Sequence, residues 1–206
     1  MRVRPVSPSL LVEELADRIA AAQPERRLRV AIDGPEAAEP DPFAAALVDP
    51  LRVRGRAAMH VRSAGFLRPA SLRFERGRKN PESFYERWLD EDGLRREVLN
   101  RLERDGQVLP DLWDPVDDRA TRSAYVTVPE RGVVLVSGPL LLGGALPFDL
   151  TVHLSLSPGA LARRTAPERQ WTLPAYERYE AEVHPAELAD IVVRIDDPDH
   201  PALVER

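Results

Sequence analysis

Short apolar runs and amphipathic helical stretches take turns along the 206-residue chain. Residues 28–32 (LRVAI), 57–61 (AAMHV), 124–128 (AYVTV), 132–138 (GVVLVSG), 149–156 (DLTVHLSL) and 190–195 (DIVVRI) each read as a strand. Leu11, Leu15 and Ile19 recur every fourth residue and predict a helix over 9–22. Phe43, Leu47 and Leu51 stripe a second helix, Leu94, Val98 and Leu102 mark a third, and 174–189 reads as a fourth. Strand–helix alternation of this kind predicts an α/β fold: three layers around a mainly parallel sheet, with 132–138 apolar enough to lie at its centre. Ligands of such sheets bind beyond the carboxyl ends of the strands. Chemistry is therefore expected around residues 32, 61, 136 and 156.

Composition narrows the function. Neither an internal repeat nor a low-complexity linker divides the chain, so residues 1–206 are read as one domain with an N-terminal helical segment over 1–24. The net charge of -5 argues against a nucleic-acid partner. With no cysteine there is no disulfide, thiol nucleophile or thiolate metal site. Glu13 and Glu14 interrupt the apolar stretch a signal peptide would need, and no run approaches a membrane span, so a cytoplasmic protein without membrane contact is expected. His60, His153, His184 and His200 lack metal-ligand spacing, and no metal site is expected; the plainer reading of His60 and His153, inside strand patterns, is structural.

The strand ending in Ile32 runs into Asp33-Gly34-Pro35-Glu36-Ala37-Ala38-Glu39-Pro40-Asp41 and then a helix. Read with GFLRP, RGRKNPESFYERWLDEDGLRREVL, LWDPVDDR, VVLVSGPLLL, LSLSPGALARR and AEVHPAELADIVVRIDDPDHPAL, this order resembles the uridine kinase family of P-loop phosphotransferases, in its actinobacterial form, over nearly the whole chain. The resemblance implies a P-loop fold, a nucleoside-side segment at 62–92 and a lid-like segment at 163–175. It also exposes departures. A phosphate loop of the form G-x-x-x-x-G-K-[ST] ends in lysine, which neutralises phosphate, and a hydroxyl, which holds Mg²⁺. Here Gly34 is kept but the last three positions are Glu39, Pro40 and Asp41. The family's acidic pair after the second strand reads Ala64-Gly65, and its acidic residue at the end of the central strand reads Ser137.

Asp33 to Asp41 are thus read as a degenerate phosphate loop, with no catalytic residue assigned. Phe66, Arg68, Arg76 and Tyr85 are candidates for the substrate side, and Arg163, Arg164 and Arg169 for an anion-binding lid. The plainer readings are a solvated helix face for Arg163 and Arg164, a solvated loop for the basic run 73–79, and core packing for Phe84, Tyr85 and Trp88. Asp41-Pro42 matches a helix N-cap and first helical residue, which would put a carboxylate where the phosphate once sat. Three functions follow. The first is a pseudoenzyme that keeps a nucleoside-side pocket or a protein-binding surface. The second is a kinase of a nucleoside or related small molecule with atypical phosphate binding. The third is a non-enzymatic interaction protein. No cofactor is expected, Mg-ATP entering only under the second; a nucleoside-like ligand and a homo-oligomer are the expected partners.

Overall fold

The computed structural model describes residues 2–205. Its main sheet has seven strands in the order β1-β11-β10-β9-β2-β8-β3. Five of them, β2 (Leu28–Asp33), β3 (Ala58–Arg62), β8 (Val133–Gly138), β9 (Leu150–Ser155) and β10 (Ile191–Arg194), run parallel. Every residue of β8 is buried, as its unbroken apolar run requires of a strand covered on both faces. The edge is built by β11 (Ala202–Glu205), antiparallel to β10, and β1 (Arg2–Pro5), antiparallel to β11. The sequence reading missed both: the helix expected over 9–22 forms at Pro8–Ala21, but the N-terminal segment read as helical over 1–24 opens with the strand Arg2–Pro5.

On one face lie α1 (Pro8–Ala21) and α2 (Pro40–Val53), packing Leu11, Leu15, Ile19, Leu47 and Leu51 on Val30, Ile32, Leu135 and Val152. The other face is shared. Over Val61, Val134 and Val136 lies a bent helical stretch made of α5 (Glu91–Leu94), a π turn at Arg95–Leu99 and α6 (Asn100–Asp105). Over Ala31 and Val192 lie α8 (Leu173–Val183) and α9 (Pro185–Leu188), divided at His184, whose φ is 51°. Between β3 and this layer, α3 (Ala70–Arg73) and α4 (Pro81–Arg87) form the 62–92 segment, and α7 (Pro158–Arg164) follows β9.

The strand expected over 124–128 is a correction. Only β7 (Val126–Thr127) forms, exposed and paired with β4 (Gln107–Val108) away from the main sheet, because the stretch has no second apolar face to bury. A second small ribbon joins β5 (Trp113–Asp114) to β6 (Arg119–Ala120). Among the described residues no helix is long and apolar enough to cross a membrane.

Candidate functional site

The parallel strands β2, β8 and β3 deliver Asp33, Ser137 and Arg62 to one edge, and the phosphate-loop segment leaves it from Asp33. A phosphate loop works by leaving backbone N–H groups free to face an anion. Here they turn inward. Gly34 N–H donates to Gly138 O (3.3 Å), Glu36 N–H to the Tyr176 hydroxyl (3.3 Å), Ala38 N–H to Pro35 O (2.8 Å) and Glu39 N–H to Glu36 O (3.0 Å). Glu39 sits in the left-handed region at φ 56°, and α2 begins directly after it at Pro40.

This start differs from the sequence expectation. Asp41 is the second residue of the helix, not its N-cap, and Glu39 makes no side-chain cap bond. The reason is the left-handed turn at Glu39, which lets the helix begin two residues earlier than Asp41-Pro42 suggested. Pro40 and Pro42 then occupy the first and third helical positions, so two of the three N–H groups a helix start would offer an anion do not exist. Phe43 N–H already bonds Glu39 O, at 3.2 Å.

The Asp41 carboxylate accepts instead from the Ser137 hydroxyl, and Ser137 Oγ lies 2.7 Å from His60 Nε2. With the serine hydroxyl donating to Asp41, His60 donates its Nε2–H to Ser137. Burial lowers the His60 pKa, with Asp41 acting weakly against it. The chain Asp41–Ser137–His60 pins α2 to the ends of β8 and β3. Asp41→Ala and Ser137→Ala should each cost about 1–2 kcal/mol, since a buried hydroxyl or its acceptor loses its partner. The double variant should cost about 1 kcal/mol less than the sum, a coupling readable by denaturant melts. A cap role for Asp41 would instead leave the two changes additive.

The lid-like segment closes over the loop. In the 3-10 turn Pro167–Thr172, Arg169 grips the Glu36 carboxylate with two nitrogens, one of them Nε at 2.9 Å. Its guanidinium lies 5.2 Å from the Trp171 ring and 5.6 Å from Phe84. The three lid arginines are not brought together. Arg164 donates to Ile195 O at the end of β10, and Arg163 is exposed on the outer side of α7. Arg164 and Arg169 do share a hollow of 140 Å³ with Glu36, Ala37 and Thr165.

The substrate-side candidates also separate. Phe66 is wholly buried among Leu94, Leu99 and Val108, so it belongs to the core. Arg76 leans toward Glu82 at 3.8 Å, and Arg68 is held by its backbone, its N–H on Trp88 O and its carbonyl on Arg73 Nε. Of the four only Tyr85 lines the neighbouring cavity, with Glu36, Ala64, Phe84, Trp88 and Glu91. Its phenol donates to Glu182 at 3.1 Å, and burial raises its pKa. Phe84 and Trp88 are core first. They pack edge to face at 5.2 Å, and Phe84 meets Tyr176 at 5.8 Å. From the basic run, Arg73 is buried beneath Phe74 and Trp88, whereas Arg76, Arg78 and Lys79 are exposed.

At 90 Å³ the cavity is well below the roughly 300 Å³ at which ligand pockets begin. Trp88, in its wall, leaves a buried indole N–H without a hydrogen-bond partner. Among the described residues no three His, Asp or Glu side chains gather to hold a metal ion.

Two networks at this edge, the Asp41–Ser137–His60 chain and the surroundings of Asp33, escaped the sequence reading. Asp33 is fully buried, and its carboxylate takes three donors: His153 Nδ1 (2.7 Å), the Tyr179 hydroxyl (3.1 Å) and Leu141 N–H (2.9 Å). Leu142 N–H in turn donates to the Tyr179 oxygen at 3.0 Å, and burial together with Asp33 pushes that phenol far up. The only sequence signal was polar side chains, Ser137 and His153, inside otherwise apolar strands.

No protein-family model and no curated protein matches the sequence. Solved structures do match. A protein described as a possible uridine kinase from Bacillus stearothermophilus superposes with a TM-score of 0.73 at 20% identity, over 88% of this chain and 96% of that one. A candidate fructose transport system kinase from Silicibacter sp. TM1040 gives 0.59 at 25% identity, over 90% of each chain. D-glycerate 3-kinase from Cryptococcus neoformans gives 0.54 at 15% identity, over 84% and 80%. The chain therefore has a P-loop kinase-like fold, as the order of its segments implied. At these identities the fold is what is shared, and the chemistry has to be argued from the residues.

Proposed function

We propose that this protein is a uridine kinase-like pseudoenzyme, impaired in phosphoryl transfer, that keeps a small-molecule pocket on its nucleoside side. One observation carries the reading: between Gly34 and Pro42 the N–H groups of Gly34, Glu36, Ala38 and Glu39 are bonded inward, and Pro35, Pro40 and Pro42 have none to offer, so most of the backbone donors that would hold phosphate are lost. Glu36 adds a negative charge at the mouth and occupies Arg169, a cation the lid could otherwise turn toward phosphate. Ala64, Gly65 and Ser137 supply no carboxylate to orient a hydroxyl or a metal ion. The orphaned Trp88 N–H and the Tyr85 ring favour a retained pocket for a flat ligand with an acceptor, a nucleoside base being one such shape. Admitting a whole nucleoside requires more room than 90 Å³, so side chains of the wall, Glu36 among them, have to move.

A second reading rests on the hollow shared by Arg164 and Arg169: an active kinase that holds Mg-ATP through these arginines. One experiment divides the two. With Mg-ATP and uridine or cytidine, turnover should stay below about 0.1 s⁻¹, some tenfold under the slow end of ordinary enzymes. Faster phosphorylation would overturn the pseudoenzyme reading. A nucleoside at 100 times its dissociation constant should add about 2.7 kcal/mol of stability, visible as a raised melting temperature. If no nucleoside raises it, the protein-binding surface is what remains. A cytoplasmic setting and a homo-oligomer are part of the same proposal.

A further inference from the structure

A second cavity lies behind the phosphate-loop segment, between the end of β9 and helices α7 and α8. It measures 630 Å³, within the range of small-molecule sites, and is seven times the volume of the nucleoside-side cavity. Its walls are mostly apolar, with Leu156, Leu161, Leu173 and Tyr176 among them. Its polar lining comprises His153, Ser155, Ser157, Glu177 and Glu180. His153 lines it with its ring buried to 98%, and Nε2 has no hydrogen-bond partner.

The orientation of that ring is fixed. Its Nδ1–H donates to Asp33, itself held by Tyr179 and Leu141, so in the neutral ring Nε2 carries the lone pair. The Glu180 carboxylate stands 3.8 Å from Nε2, too far for a hydrogen bond and close enough to cover it. Its side chain is 55% exposed and can turn, which opens Nε2 to the cavity. Two acceptors, an imidazole nitrogen and a carboxylate, thus lie side by side, with a second carboxylate, Asp33, on the other nitrogen of the ring.

Nothing positive balances them from the lining. The cation of α8, Arg178, is taken by Glu86 and Glu182 on the outer side, and the lining contains no arginine or lysine. His184, past the end of α8, is the other titratable group acting on Glu180. Burial raises the Glu180 carboxyl and Asp33 adds to the rise, while His153 and His184 oppose it. A phosphate or carboxylate ligand would meet repulsion here. An ammonium group would donate to both Nε2 and Glu180 while its apolar body filled the rest.

We propose that this cavity is a binding site for a small primary amine with an apolar body, its ammonium held between His153 Nε2 and Glu180. The site is separate from the nucleoside-side cavity and does not depend on whether the loop is degenerate. The probe is 2-phenylethylamine, with 2-phenylethanol and 3-phenylpropionate as neutral and anionic counterparts. Calorimetry should give the amine a Kd below about 1 mM, at least about tenfold tighter than the anion. Glu180→Gln, at a half-exposed position that leaves the fold intact, should weaken the amine about tenfold and leave the alcohol unchanged. Ala162→Trp, filling the cavity from an exposed position, should abolish binding of both. Nitrogen NMR should show the amine shifting His153 Nε2. An anion that binds as tightly as the amine, a Glu180→Gln variant with unchanged selectivity, or no amine binding at millimolar concentration would each overturn the proposal.

Discussion

Asp33→Ala is expected to lower the unfolding free energy by about 4 kcal/mol, the largest loss of any single change at this edge of the sheet. The carboxylate is fully buried, and its removal leaves the His153 Nδ1–H, the Tyr179 hydroxyl and the Leu141 N–H without an acceptor. Each buried donor left unpaired costs about 1–3 kcal/mol. The three cannot all find substitutes, because Tyr179 is also fixed by Leu142 N–H and His153 lies in the middle of β9. For a chain of this size the melting temperature should fall by about 8–16 °C. Asp33→Asn keeps the shape but turns an NH₂ toward one of the donors, so about half that loss is expected. Denaturant melts of the two variants check the order. A loss below about 1 kcal/mol for Asp33→Ala would mean that the network reorganises around the gap.

That result bears on what the sequence could disclose. Asp33 was legible as the first residue after a buried strand, and so as the start of a phosphate loop. Its inward turn was not, because the partners that hold it lie 108 to 146 residues away. The strands β2 and β8 announced themselves through the apolar runs 30–32 and 133–136. β1 and β11 could not, being four residues each and joined mainly by backbone pairing between the two ends of the chain. Asp41 followed by Pro42 looked like a cap by local rules, and the left-handed Glu39 overrode them. The cavity of His153 needed three segments, β9, α7 and α8, to be seen together. Local pattern thus reached the scaffold and the family likeness. The roles of the polar side chains depended on long-range contacts that spacing does not encode.

Rebuilding the phosphate loop is expected to give the largest functional gain, and the position of the helix start dictates how many residues it takes. Glu39→Gly, Pro40→Lys and Asp41→Thr restore the loop's glycine, cation and hydroxyl. Glycine suits φ 56° better than glutamate does, so this change alone should be neutral or stabilising by up to about 1 kcal/mol. Yet the triple variant still carries Pro42 at the third helical position, and Glu36 still stands at the mouth. Adding Pro42→Thr returns an N–H to the helix start, and Glu36→Ser removes the anion and frees Arg169. Charge-assisted hydrogen bonds contribute about 1.5–3 kcal/mol each. The fivefold variant should therefore bind ATP with Mg²⁺ at least about hundredfold tighter than the parent, a difference of about 2.7 kcal/mol. The triple variant should recover only a small part of this. Turnover should remain absent in both, because Ala64, Gly65 and Ser137 are unchanged. Calorimetry with ATP, on variants first shown to fold by circular dichroism, decides the matter. A triple variant that binds as tightly as the fivefold one would show that Pro42 and Glu36 are bystanders. A folded fivefold variant that binds no ATP would place the barrier outside this loop and remove the main support for reading it as a former phosphate site.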